Sequence, residues 1–251
     1  MEITILSCRQ DLVWHQRHRL LNFVKQRYLL LSPAKILKSS SFIVTSILSL
    51  DELFLDLSHP NPNIRLDACV AMSENYFDEA LPRLLDLLND PDPAVYRTAV
   101  KGLGVFGHRV LPPLLDLYNT TENCTVKACC IKAFVQVAVN FPDTVFPEQA
   151  ISALKLALDD TNPVVSQSAL MTLGYFSKQD HEKERVIPIL IQICKSKNIA
   201  HVQSAVMSLA EVESSQVDEC FDSMINSLST DSLIKEILES SMARRKSLFG
   251  N

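Results

Sequence analysis

Apolar side chains recur every fourth residue in short runs along this chain, and the polar turns between the runs share one signature. When Ala68, Ala99, Cys130, Ala169, Ala205 and Leu238 are taken as equivalent, the residue seven places earlier is Asn61, Asp92, Asn123, Asn162, Asn198 and Asp231. A short side-chain oxygen there accepts from the free backbone N–H groups of a helix's first turn. Pro62, Pro93 and Pro163 follow the cap in three repeats, at a position where the missing N–H costs nothing. Further on, Ile64, Ala68 and Met72 set an apolar stripe that returns as Val95, Ala99 and Leu103, as Val126, Cys130 and Phe134, as Val165, Ala169 and Leu173, and as Ile234, Leu238 and Met242. One buried helical face explains this spacing. His201 interrupts the stripe before Ala205 and Leu209. Another apolar helix precedes the caps, clearest over 81–88 and repeated at 110–118, 151–158 and 186–194. Each unit is therefore helix A, a capped turn and helix B.

The anchors stand 31, 31, 39, 36 and 33 residues apart. The pattern predicts an all-α fold, an α-α superhelix of about six helical pairs. Polar insertions at 140–144 and 177–184 lengthen two repeats and are expected in loops. Residues 1–49 carry helical patterning at 11–28 and 33–50 without the cap signature, and are expected to form a divergent N-terminal helical cap. The solenoid is expected over 50–243. Residues 244–251 are expected to be a short basic tail whose Arg244, Arg245 and Lys246 complement the C-terminal end of the last helix.

Composition narrows the picture further. Five glycines and 12 prolines in 251 residues leave little for the tight turns of a many-stranded sheet, and a 47% hydrophobic, 21% charged chain can bury an ample core. A formal net charge of -5 argues against nucleic acid as the partner. The most apolar stretch, 42–55, is broken by Thr45, Ser46, Ser49, Asp51 and Glu52, so no membrane insertion is expected. The N-terminus lacks the features of a secretory signal. Seven dispersed cysteines, an odd set, fit a reducing compartment.

Two strings, Asp90-Pro91-Asp92-Pro93-Ala94-Val95 leading to Leu103-Gly104 and Asp159-Asp160-Thr161-Asn162-Pro163-Val164-Val165 leading to Leu173-Gly174, resemble HEAT repeats of the short type named after phycobilisome lyases. The resemblance covers roughly residues 50–243. Within that type, Asn75-Tyr76-Phe77-Asp78-Glu79-Ala80-Leu81-Pro82, Ala99-Val100-Lys101-Gly102-Leu103-Gly104-Val105-Phe106-Gly107 and Arg244-Arg245-Lys246-Ser247-Leu248-Phe249-Gly250 look like HEAT-repeat proteins of cyanobacteria and algal plastids. Those relatives are described as bilin biosynthesis proteins or as partners of an A-type iron-sulfur carrier. The resemblance implies a non-catalytic protein-binding scaffold or chaperone for phycobiliprotein and bilin maturation, in cyanobacterial cytoplasm or plastid stroma. It leaves open two alternatives: a bilin lyase subunit, and a docking partner of the iron-sulfur carrier. No intrinsic cofactor is implied, only a bilin or iron-sulfur cluster as transient cargo.

Positions two before and two after each anchor lie almost opposite it on a helix of 3.6 residues per turn, so they are expected to be exposed. They read Leu66 and Val70, Arg97 and Lys101, Ala128 and Lys132, Gln167 and Met171, Gln203 and Met207. The B helices of such solenoids line the concave side. Arg97, Lys101, Lys132, Gln167, Met171, Gln203 and Met207 are accordingly the candidate partner-binding row, with cations for carboxylates and methionines for adaptable apolar contact. The competing reading is a solvated face.

Chemistry-bearing residues are otherwise sparse. Helical phase buries Cys130 at the anchor and places Cys129 and Cys69 beside it, where cysteine acts as a small hydrophobe. Cys124 takes the first helical position, where the helix N-terminus favours a thiolate, and is the weak metal candidate. His15 and His18 beside Trp14 lack a carboxylate-rich companion. His181-Glu182 is a single such dipeptide, whereas deoxyhypusine hydroxylase, another HEAT-repeat family, uses several to hold a di-iron centre; here it is expected in a solvated loop. Phosphate-loop, dinucleotide and nucleophile-elbow patterns are missing, so no catalytic residues are assigned. Tyr76-Phe77-Asp78-Glu79 and Val105-Phe106-Gly107-His108 are expected to serve inter-repeat packing, or else to form an edge hot spot.

Overall fold

The structure is a computed structural model that describes residues 48–228 and 230–250. The chain divides into two compact units, Met1–Leu55 and Asp56–Asn251. Helix α1 (Leu50–Asp56) crosses that boundary. Cys8, Trp14, His15 and His18, with the patterned segments before residue 48, lie outside the described residues.

In the second unit, helices alternate between two layers. The B layer contains α2 (Pro62–Asn75), α4 (Pro93–Leu103), α6 (Cys124–Asn140), α8 (Pro163–Phe176), α10 (Ile199–Leu209) and α12 (Ser232–Phe249). The A layer contains α3 (Phe77–Asp86), α5 (Leu111–Thr120), α7 (Glu148–Ala157), α9 (Lys183–Cys194) and α11 (Ser215–Ile225), with 3-10 turns at Leu87–Asn89 and Gly104–Val110. There is no β-strand among the described residues. The fold is an all-α, HEAT-like solenoid.

All six caps form. Asn61, Asp92, Asn123, Asn162, Asn198 and Asp231 hold non-helical backbone at the start of α2, α4, α6, α8, α10 and α12, and each side chain accepts from a first-turn N–H. Asn162 Oδ1, for example, accepts from the Val164 amide at 2.9 Å. The anchors behind the caps are fully buried at Ala68, Ala99, Cys130, Ala169, Ala205 and Leu238. Mostly small anchors let successive B helices pack directly on one another, whereas the A helices touch more sparsely. The fit is close enough at Gly174 that a Cβ there would run into Ser208 Oγ of the next B helix.

The joints between repeats are more specific than the periodic pattern predicts. Gly107 takes φ 73, ψ -158 between α4 and α5, a conformation L side chains rarely adopt. This turn buries Phe106 beside Phe77, with ring centroids 5.2 Å apart, and brings the Arg109 guanidinium to 3.6 Å from the Phe77 ring centre. The aromatic segments therefore pack against each other across repeats.

Two sequence expectations need correction. The 177–184 insertion is a loop that runs into α9, with Lys178, Asp180 and Glu184 exposed, as expected, but Glu182 is completely buried, and its carboxylate accepts from the Phe146 amide at 2.7 Å and from Arg185 at 2.9 Å. Arg185 also donates to the Phe146 carbonyl and to Glu148, while His181 Nε2 lies 2.9 Å from the Thr144 carbonyl. The two long insertions thus clasp each other, satisfying a buried charge through fixed partners. Residues 244–249, expected in the tail, are the last turns of α12. Arg245 is buried, with its guanidinium on Asp218 and on the carbonyls of Leu209, Val212 and Ser214. The buried stripe of α12 consequently runs Ile234, Leu238, Ser241, Arg245 and leaves Met242 half-buried. Four acceptors for one guanidinium outweigh the apolar alternative.

If the caps set the repeat register, Asn162→Ala lowers unfolding free energy by about 1 kcal/mol and Asn162→Gly by only a few tenths. Urea midpoints at constant m-value measure this; an alanine variant as stable as the parent contradicts it.

Candidate functional site

The B-helix row begins where α4 and α6 lie side by side. Arg97 and Lys101, one turn apart on α4, and Lys132 on α6 are exposed, and none has a carboxylate partner among the described residues. Both Arg97 and Lys132 act on Cys129: burial pushes its thiol up, and the two cations pull it partly back. Cations of two adjacent repeats thus act on the same buried thiol. Farther along, Met171 on α8 and Met207 on α10 are 66% and 58% exposed, large values for apolar side chains on well-packed helices.

The preceding position is exposed at Leu66 and Arg97 but not in the later repeats. Gln167 and Gln203 are half-buried and Ala128 is buried, contrary to the expectation of exposure. Close stacking of the B helices from α6 to α10 explains this, because there the position before the anchor turns toward the neighbouring repeat. Gln167 Nε2, for instance, donates to Ser204 Oγ at 3.4 Å. The exposed row thus consists of Arg97, Lys101, Lys132, Met171 and Met207, with the two glutamines recessed at its side.

A cleft of about 600 Å³ opens between α2 and α4. Arg97 and Lys101 stand on one wall, Arg65 and Leu66 on the other, with Leu57 and Val95 among the apolar lining. Arg65 Nη1 donates to the carbonyls of His59 at 2.6 Å and Pro60 at 3.0 Å, and His59 Nδ1 accepts from the Asn61 amide at 3.0 Å. The turn before α2 is thereby tied to its own helix. At the floor the helices nearly touch, since a Cβ at Gly102 would lie 2.7 Å from Cys69 Sγ. Arg65 and Leu66 sit three and two positions before the anchor Ala68. Comparison of equivalent positions pairs Leu66 with Arg97 of the next repeat but leaves out Arg65, which lies one position off that row.

Most described cysteines are core. Burial pushes the thiols of Cys69 and Cys130 up to about 12. Cys194 and Cys220 share a hydrogen bond that, with burial, pushes the Cys194 thiol up. Cys124 is half-exposed at the start of α6. Among the described residues, no three metal-binding side chains gather in one place.

A family model for HEAT repeats matches residues 50–134. The bilin biosynthesis protein CpeZ of Synechococcus sp. (strain WH8020) is 83% identical over 186 residues, which is 74% of this chain and 100% of that protein. The chain belongs to the CpeZ family. The phycocyanin operon protein Z of Pseudanabaena tenuis (strain PCC 7409) is more distant, at 32% identity over 81% of this chain and 98% of its own length. Among solved structures, the Escherichia coli protein YibA aligns at 16% identity and a TM-score of 0.49, covering 84% of this chain and 78% of that one. As in any chain whose helices serve a packed solenoid, no described helix here is long and apolar enough to cross a membrane.

Among the described cysteines, native-state alkylation with iodoacetamide labels Cys124 first. Cys69, Cys129 and Cys130 react only after denaturant is added, as peptide mass mapping reads directly. Native labelling of Cys130 as fast as that of Cys124 contradicts the packing described above.

Proposed function

We propose that this protein is a non-catalytic scaffold that binds a phycobiliprotein subunit during bilin maturation in the cytoplasm of a cyanobacterium. The observation that carries the reading is the exposed B-helix row, three cations without carboxylate partners followed by two exposed methionines. Such a row fits a partner surface with carboxylates at one end and apolar side chains at the other. Arginine and lysine supply charge-assisted hydrogen bonds, and methionine adapts its shape to an apolar partner. Two relatives, one a bilin biosynthesis protein and one from a phycocyanin operon, support the choice of client.

The mechanism is holding rather than bond-making. A stack of helices presents the row at fixed spacing, so binding spends little on ordering the scaffold. Its charged end steers the client and its methionine end supplies contact area. A client held in this way keeps its bilin-accepting segment oriented while the pigment is delivered.

The triple substitution Arg97→Glu, Lys101→Glu, Lys132→Glu is expected to weaken capture on an immobilised apo-phycobiliprotein subunit at low salt by at least about tenfold, or about 1.4 kcal/mol. Helical circular dichroism should not change. Unchanged capture by the folded variant contradicts the proposal.

A further inference from the structure

We propose that Cys194 and Cys220 form a redox-active dithiol, a modification site at which a small hydroperoxide converts two neighbouring thiols into a disulfide between α9 and α11. Cys194 is the last residue of α9 and Cys220 lies within α11, A helices that touch across consecutive repeats. Both side chains turn inward, at 4% and 6% exposure. The two thiols are in hydrogen-bond contact, with Cys194 as donor and Cys220 as acceptor, and Cys220 Sγ in turn donates to Met224 Sδ at 3.8 Å. One donor direction therefore runs through three sulfurs.

The other described cysteines are not placed this way. Cys129 and Cys130 are neighbours on α6, where successive side chains leave the axis about 100° apart, too divergent for a disulfide. Cys69 faces Gly102 of the next repeat rather than a thiol, and Cys124 stands half-exposed at the start of α6.

The donor direction also divides the roles. The hydrogen bond from Cys194, with the charge of Lys195 behind it, brings the Cys220 thiol down to about 7 against the opposing effect of burial, whereas burial alone dominates at Cys69 and Cys130. Thiolate is the reactive form, so Cys220 is the attacking sulfur. It bonds to one oxygen of hydrogen peroxide as the O–O bond breaks; hydroxide leaves, takes up a proton as water, and Cys220 becomes a sulfenic acid. The Cys194 sulfur then bonds to the Cys220 sulfur as the S–O bond breaks, and the Cys194 proton leaves with that hydroxide as a second water. Sulfur is oxidised and peroxide oxygen reduced. Burial selects the oxidant, because hydrogen peroxide is small and uncharged while iodoacetamide and larger disulfides need the helix interface to open. The new bond closes the chain around α10, the B helix that carries Met207, and a closed loop restricts the unfolded segment. This chemistry is independent of the client reading above.

The test treats the folded full-length protein with hydrogen peroxide, stops the reaction with catalase, blocks remaining thiols with N-ethylmaleimide in denaturant and maps the peptides by mass. The proposal expects a Cys194–Cys220 linked peptide in at least about tenfold excess over any other pairing, as only this pair meets the geometric requirement, with matching loss of the maleimide-labelled Cys194 and Cys220 peptides. In Cys194→Ala the oxidation should stop at the sulfenic acid, trapped on Cys220 by dimedone, whereas Cys124→Ser should leave the disulfide yield unchanged. Recovery of both Cys194 and Cys220 as maleimide adducts while Cys124 or Met224 is oxidised overturns the site, as does a mixture of pairings in comparable amounts. The parent protein alone decides between these results, so the outcome stands even where a variant folds poorly.

Discussion

Close stacking of consecutive B helices is the constraint on which the rest of the structure depends. Small anchors such as Ala68, Ala99, Ala169 and Ala205 vanish completely into the core, and helices can approach so closely only when nothing larger intervenes. Each capped turn then starts its helix at the same phase, so the anchor always meets the neighbouring repeat. Because one unit buries its apolar face only against the next, phase is shared along the array. The exposed row follows from that register: two positions beyond a buried anchor, Lys101, Lys132, Met171 and Met207 point away from the core, while Val70 in the first repeat is half-buried.

The features legible in the sequence are those that repeat. The six Asn/Asp caps, the anchor positions and the alternation of A and B helices all followed from one offset of seven residues and one spacing of four. What escaped the pattern occurs once. The charged neighbours of Glu182 predict a solvated loop, yet within that loop it is buried and accepts from the amide of Phe146 and the guanidinium of Arg185. Arg245 lies in a basic run at the chain's end, but its acceptors come from 27 to 36 residues upstream. No local signal announces such partners. The exposure of the row was partly legible: Arg97, Lys101, Lys132, Met171 and Met207 are open, while Val70, Gln167 and Gln203 are half-buried and Ala128 is buried.

The same register places chemistry on the surface without a catalytic constellation having been assigned. Arg97, Lys101 and Lys132 gather because α4 and α6 are adjacent B helices, and the cleft beside them lies between α2 and α4, which come close at Cys69 and Gly102.

Hydrogen–deuterium exchange of the protein with and without an apo-phycobiliprotein subunit tests the central claim most directly. The account predicts added protection in α4, α6, α8 and α10, with α5, α7 and α9 unchanged. Protection confined to the A helices, or none at saturating subunit, would contradict it.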